Sequence, residues 1–209
     1  MKRRILVAVL ALAAGITLAA QTPKGWKLRI DRSDTASDPD AAGAIKFTSI
    51  ASGFHALNPQ AAVYWNPAQT VSGDYTLKGT FTLVQPSGHV NYYGLVFGGS
   101  DLAGASQKYL YFMVAQDGTW LVKFRNGPAT QELSMKTQSA AVKTPDASGK
   151  STNALEVRVR GDKIAYVVNG TIVQTSPKTG RMARTDGIYG IRVNHLLDVE
   201  INGFGVSTP

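Results

Sequence analysis

The 209 residues carry 22 Lys and Arg against 14 Asp and Glu, a formal net charge of +8, and no cysteine. Disulfides and cysteine-held metals are excluded, so packing and backbone pairing must supply the stability. The basic excess is spread along the chain and forms no cluster interleaved with aromatics, which argues against a nucleic-acid partner.

Lys2, Arg3 and Arg4 open the chain, residues 5–14 form an apolar run, and the small residues Gly15, Thr17, Ala19 and Ala20 follow. This is the layout of a secretory signal peptide. Its apolar part is shorter than the roughly 20 residues of a comfortable bilayer span. We expect residues 1–20 to be a signal peptide and residues 21–209 a single domain. The protein is expected to be exported, periplasmic or extracellular, with no membrane span after cleavage. Without Lys2, Arg3 and Arg4 the balance is 19 basic against 14 acidic residues, a net of +5.

Beyond the leader the apolar period is two. WKLRI (26–30) and YTLKGTFTL (75–83) alternate apolar with polar residues. WLVKFR (120–125) places Trp120, Val122 and Phe124 on one face, with Lys123 and Arg125 on the other. LEVRVR (155–160) alternates most strictly. Such alternation predicts strands with one buried and one wet face. Asp117-Gly118, Gly161-Asp162, Asn169-Gly170 and Asp186-Gly187 separate apolar runs and suit tight hairpins. No amphipathic helix of convincing length interrupts them. The pattern predicts an all-β, antiparallel β-sandwich of jelly-roll type, with residues 145–151 as a surface loop.

Three passages together resemble one superfamily. They are YLYFMVAQDGTWLVK (109–123), NALEV (153–157) with IAYVVNG (164–170), and DGIYGIRV (186–193) with LDVEINGFGV (197–206). They resemble concanavalin A-like, laminin-G-like sandwiches, in particular bacterial exported 3-keto-disaccharide hydrolase domains and family-16-like glycoside hydrolases. The resemblance covers about residues 45 to 206. It implies the concanavalin A-like sandwich and a carbohydrate or glycoside as partner.

The residues do not spell out a hydrolase. The paired-carboxylate motif E-x-D-x-E of the family-16 enzymes is absent. Only Glu132, Glu156 and Glu200 are glutamates. Asp198 and Glu200 would share one face of a strand, and His195 stands just before them as a general-base candidate. His195, Asp198 and Glu200 are therefore the catalytic candidates. His55, His89 and His195 show no zinc-binding spacing. No cofactor is expected; Asp101 could offer oxygen to Ca²⁺, but no ligand set accompanies it.

Sugar recognition calls for aromatic faces and planar polar groups. Trp65, His89, Tyr92, Arg125, Arg192 and Asn194 are the binding candidates, with Tyr64 and Asn91 beside them. In HVNYYGLVF (89–97) parity puts Asn91, Tyr93, Leu95 and Phe97 on one face and Tyr92, Gly94 and Val96 on the other, with Gly94 leaving room for a ligand. The first reading is a secreted carbohydrate-binding module without efficient catalysis. The alternatives are a glycoside or 3-keto-disaccharide hydrolase and an envelope adhesion module. The sequence leaves the oligomeric state open.

Overall fold

The computed structural model describes residues 22–32, 34, 36, 37 and 40–209. The expected signal peptide lies outside the described residues. Among them fourteen strands form: β1 (Lys27–Ile30), β2 (Lys46–Ile50), β3 (Gly53–Asn58), β4 (Ala62–Val71), β5 (Tyr75–Gln85), β6 (Tyr92–Ser100), β7 (Lys108–Ala115), β8 (Thr119–Asn126), β9 (Ala129–Gln138), β10 (Ser151–Arg160), β11 (Lys163–Val168), β12 (Thr171–Pro177), β13 (Gly187–Val193) and β14 (Leu197–Ser207). The front sheet runs β1-β4-β13-β6-β7-β8-β9 and the back sheet β12-β11-β10-β5-β14-β3-β2. Neighbours pair antiparallel throughout. The expected β-sandwich is present. No helix among the described residues is long and apolar enough to cross a membrane.

Alternation decides which side chains meet between the sheets. Leu77, Phe81 and Leu83 of β5, Leu155, Val157 and Val159 of β10, and Val199 and Ile201 of β14 point inward. Tyr93, Leu95 and Phe97 of β6 face them, together with Leu110, Phe112 and Val114 of β7. The back sheet's outer face is wet, as its alternating polar residues require. The front sheet differs, because β6 and β7 are buried on both faces. Val63, Trp65, Tyr92, Val96, Tyr109, Tyr111, Met113 and Leu121 form a second apolar layer on its outer side.

Hairpin turns sit where Gly and Asn announced them, with one exception. Asn169 (φ 49°) and Gly170 (φ 83°) both take the left-handed conformation between β11 and β12, as a primed turn requires. Asp186-Gly187 instead joins the two sheets, because β12 and β13 belong to different ones. Asn153 and Asn169 of the family-like passages are structural. Asn153 is fully buried; it accepts from the Lys143 N–H (2.8 Å) and the Asn169 amide (2.9 Å) and donates to the Lys143 carbonyl (3.0 Å). Asn169 also accepts from the Ala154 N–H (2.9 Å). Together they clamp the connection between β9 and β10 onto the sandwich.

Gly94 leaves no empty space of its own, contrary to the sequence expectation. A Cβ there would sit 2.2 Å from the Phe112 carbonyl oxygen of the neighbouring strand. Gly94→Ala is expected to cost about 1–3 kcal/mol, the range for forcing atoms into a packed interior. Urea unfolding measures this, and an Ala variant as stable as the parent would contradict the close approach.

Candidate functional site

The apolar outer layer of the front sheet is crossed by the chain that leaves β1. Asp31 donates its N–H to the Ala61 carbonyl (2.8 Å), and the Asp34 N–H reaches the Pro128 carbonyl (3.4 Å) in the β8–β9 turn. Asp31 is 1% exposed and is held from three strands. Arg192 of β13 and Tyr109 of β7 donate to its Oδ2, while Gln107 (2.9 Å) and Arg125 of β8 donate to its Oδ1. Arg192 also donates to the Asp31 carbonyl (2.8 Å) and the Tyr109 hydroxyl (2.8 Å). To do so it crosses β6 at Gly94, its cross-strand partner, and lies 5.1 Å from the Tyr111 ring centre.

Burial alone would raise the Asp31 carboxyl. The Arg192 and Arg125 guanidinium groups and the hydrogen bonds from Tyr109 and Gln107 outweigh it and hold the carboxyl below its ordinary range. Burial pushes the Tyr109 phenol well up, so it remains a donor. One carboxylate thus serves two buried guanidinium groups.

Beside this anchor opens a cleft of about 260 Å³. Asn91 and Tyr92 of the β6 entry, Tyr111 of β7, Lys123 of β8, Lys136 of β9 and Arg192 form its floor and one side. Asn194 and His195, in the turn between β13 and β14, close the other side, and Arg32, Ala36 and Ser37 border it from the crossing segment. Asn194 is fixed by its N–H, which donates to the Tyr92 carbonyl (2.9 Å). Its Oδ1 is shielded from water and has no hydrogen-bond partner among the described residues. Lys136 sits 5.5 Å from the Tyr92 ring centre, and the Tyr92 hydroxyl bonds Thr119 (2.7 Å).

A chain of imidazoles lines the rim. His195 Nδ1 lies 3.2 Å from Asp40 Oδ1, and its Nε2 lies 2.9 Å from His89 Nε2. The Asn91 amide donates to that same His89 nitrogen (3.1 Å).

Of the residues singled out from the sequence, Tyr92, Arg192, Asn194 and His195 meet at the cleft, and His89 supports it through His195 and Asn91. Asn91 lines the cleft and does not follow the core parity of Tyr93, because β6 begins only at Tyr92. Trp65 is 3% exposed within the outer apolar layer, and Arg125 is 2% exposed and committed to Asp31; neither borders the cleft. Tyr64 faces the inter-sheet core. Asp198 and Glu200 lie on the back sheet's outer face, where Asp198 bonds His55 Nε2 (2.6 Å). His195, in the turn after β13, lines the front-sheet cleft and is thereby separated from Asp198 and Glu200 on the back sheet. Asp101 binds the Ser106 N–H (3.1 Å) within its own loop. Sequence reasoning missed Asp31, Lys123 and Lys136. The signal was an arginine inside an otherwise apolar strand, Ile191-Arg192-Val193, which demands a buried carboxylate from elsewhere in the chain.

No protein-family profile matches the sequence, and no curated protein does. Solved structures do match. A carbohydrate-binding module, CBM66 from Bacillus subtilis, superposes with a TM-score of 0.64 at 11% identity, over 88% of this chain and 96% of that one. A Bacillus subtilis protein of unknown function with a galectin-like fold gives 0.61 at 14% identity, over 88% and 90%. A Parabacteroides distasonis protein provisionally named a glycosyl hydrolase gives 0.56 at 13% identity, over 88% and 100%. The fold is an antiparallel β-sandwich of jelly-roll type. At these identities the likeness concerns architecture and leaves the chemistry to the chain's own residues.

Proposed function

We propose that the protein is an exported carbohydrate-binding sandwich whose ligand occupies the cleft on the front sheet. The observation that carries this reading is the convergence of Asn91, Asn194, Lys123, Lys136 and Arg192 on one water-accessible hollow. Sugar hydroxyls accept from such cations and exchange hydrogen bonds with such amides. The structural likeness to a carbohydrate-binding module and a galectin-like protein supports it. The aromatics contribute differently from the sequence expectation. Tyr92 and Tyr111 are nearly buried, so polar contacts, not an open stacking platform, would hold the ligand.

The test is a glycan array followed by calorimetry on the best hit. Asn194→Ala is expected to weaken binding about tenfold, the scale of one well-placed hydrogen bond. Glu156→Ala, on the outer face of the back sheet, should bind like the parent. Retention of no glycan, or equal affinity of the Asn194 variant, would remove this reading.

One observation favours the hydrolase alternative, whether on a glycoside or a 3-keto-disaccharide: the Asp40–His195–His89 chain could move a proton at the cleft rim. It lacks the second carboxylate that glycoside hydrolysis ordinarily uses, since no Asp or Glu among the described residues lines the cleft. Turnover of any glycoside, lost in His195→Ala, would promote it. For the adhesion alternative, the exposed large apolar residues Leu28, Ile30, Leu57, Val90, Met135 and Ile172 are spread over both sheets and the entry to β6.

A further inference from the structure

We propose that the cleft selects an anionic saccharide, one whose ring carries an acidic group together with free hydroxyls. This rests on the reading of the cleft as a sugar site and names the ligand class within it. Arg32, Lys123, Lys136 and Arg192 all border the hollow, and no carboxylate among the described residues does. Three acids pair with members of this set. Asp31 is shared by two guanidinium groups, Arg125 and Arg192. Asp40 pairs with Arg32 (3.2 Å). Glu132 meets Lys123 (3.1 Å) and is itself half exposed. Lys136 takes part in none of the ion pairs found among the described residues and rests against the Tyr92 ring. Lys136 is left as the positive surplus of this set; it is exposed, so its pull on an anion is screened by salt.

A bare anion does not satisfy the whole site. The amides of Asn91 and Asn194 also line the cleft, and an ionised acid has no proton to give an amide oxygen. A hydroxyl does. The cations and the amides are served together by a molecule that brings both an acid and neighbouring hydroxyls. A uronate ring has both, and so does a sulfated sugar; the two are told apart by experiment.

The experiment is calorimetry on the purified protein with three probes of equal length: a galacturonate trimer, its methyl ester, and a sulfated galactose trimer. At least one acidic probe should bind ten or more times tighter than the ester in low salt. The preference should shrink as ionic strength rises. A uronate preference assigns a carboxylate, a sulfate preference a sulfate ester. In Lys123→Met/Lys136→Met the acid-to-ester ratio should fall towards one, with unfolding by urea confirming an intact fold. Equal binding of ester and acids, or binding of neutral glycans alone, would overturn the inference and leave the sugar site standing. Failure of every glycan, neutral ones on the array included, would overturn the site itself.

Discussion

Asp31→Ala is expected to destabilise the protein by about 3–5 kcal/mol, because it strands two buried guanidinium groups without a counter-charge. Arg192 and Arg125 are 5% and 2% exposed, so water cannot take over the carboxylate's role. The arginine substitutions should be milder. Removing Arg192 leaves Asp31 still paired with Arg125, and removing Arg125 leaves it paired with Arg192. Denaturant unfolding of the three variants gives the order: Asp31→Ala lowest, both arginine variants above it. The pH dependence follows from the lowered carboxyl. Its contribution is fully present above the unfolded carboxyl's value of about 3.9 and disappears as pH falls through the lower folded value. The parent should lose this part of its stability only in acid below about pH 4. The Asp31 variant should lack that component of the acid loss. An arginine variant weaker than Asp31→Ala would show that the anchor is not limited by charge pairing.

Phe112→Ala is expected to cost a further 3–5 kcal/mol, the range for truncating a buried aromatic. Phe112 has no exposed surface. Its ring lies 5.2 Å from that of Tyr166 on the back sheet and 6.3 Å from that of Trp120 on β8. It therefore joins the two sheets where neither has a backbone bond to the other. Urea unfolding reads the loss directly. A loss under about 1 kcal/mol would mean that the surrounding rings close the cavity freely.

The sequence exposed those parts of the fold where one face is wet. β5, β10 and β14 alternate cleanly, and their inward residues are the ones period two names. β6 and β7 lack that contrast because a second layer covers their outer side, so parity said which residues share a face and not which face is dry. β9 was invisible: it is a polar edge strand, mostly exposed, with Met135 the most exposed large apolar residue. The site was legible in pieces. Asn194, His195, Arg192 and Tyr92 were named for their chemistry at strand ends, and the antiparallel pairing of β13 with β6 brings them together. Arg125 looked like a ligand contact because its alternation implied a wet face. Only the crossing segment from Asp31, 94 positions away in sequence, makes that face dry. Asp198 and Glu200 failed as partners of His195 for a topological reason. The chain passes from β13 in the front sheet to β14 in the back sheet between them.

The central claim is that ligand binds the front sheet's outer cleft. An amide-resolved NMR titration of the isotope-labelled protein with the best glycan from the array tests it most directly. The account predicts that the shifts concentrate at Asn91, Tyr111, Lys123 and Asn194, with the back sheet unmoved. Shifts gathered around His55, Asp198 and Glu200 instead would place the ligand on the opposite face and contradict it.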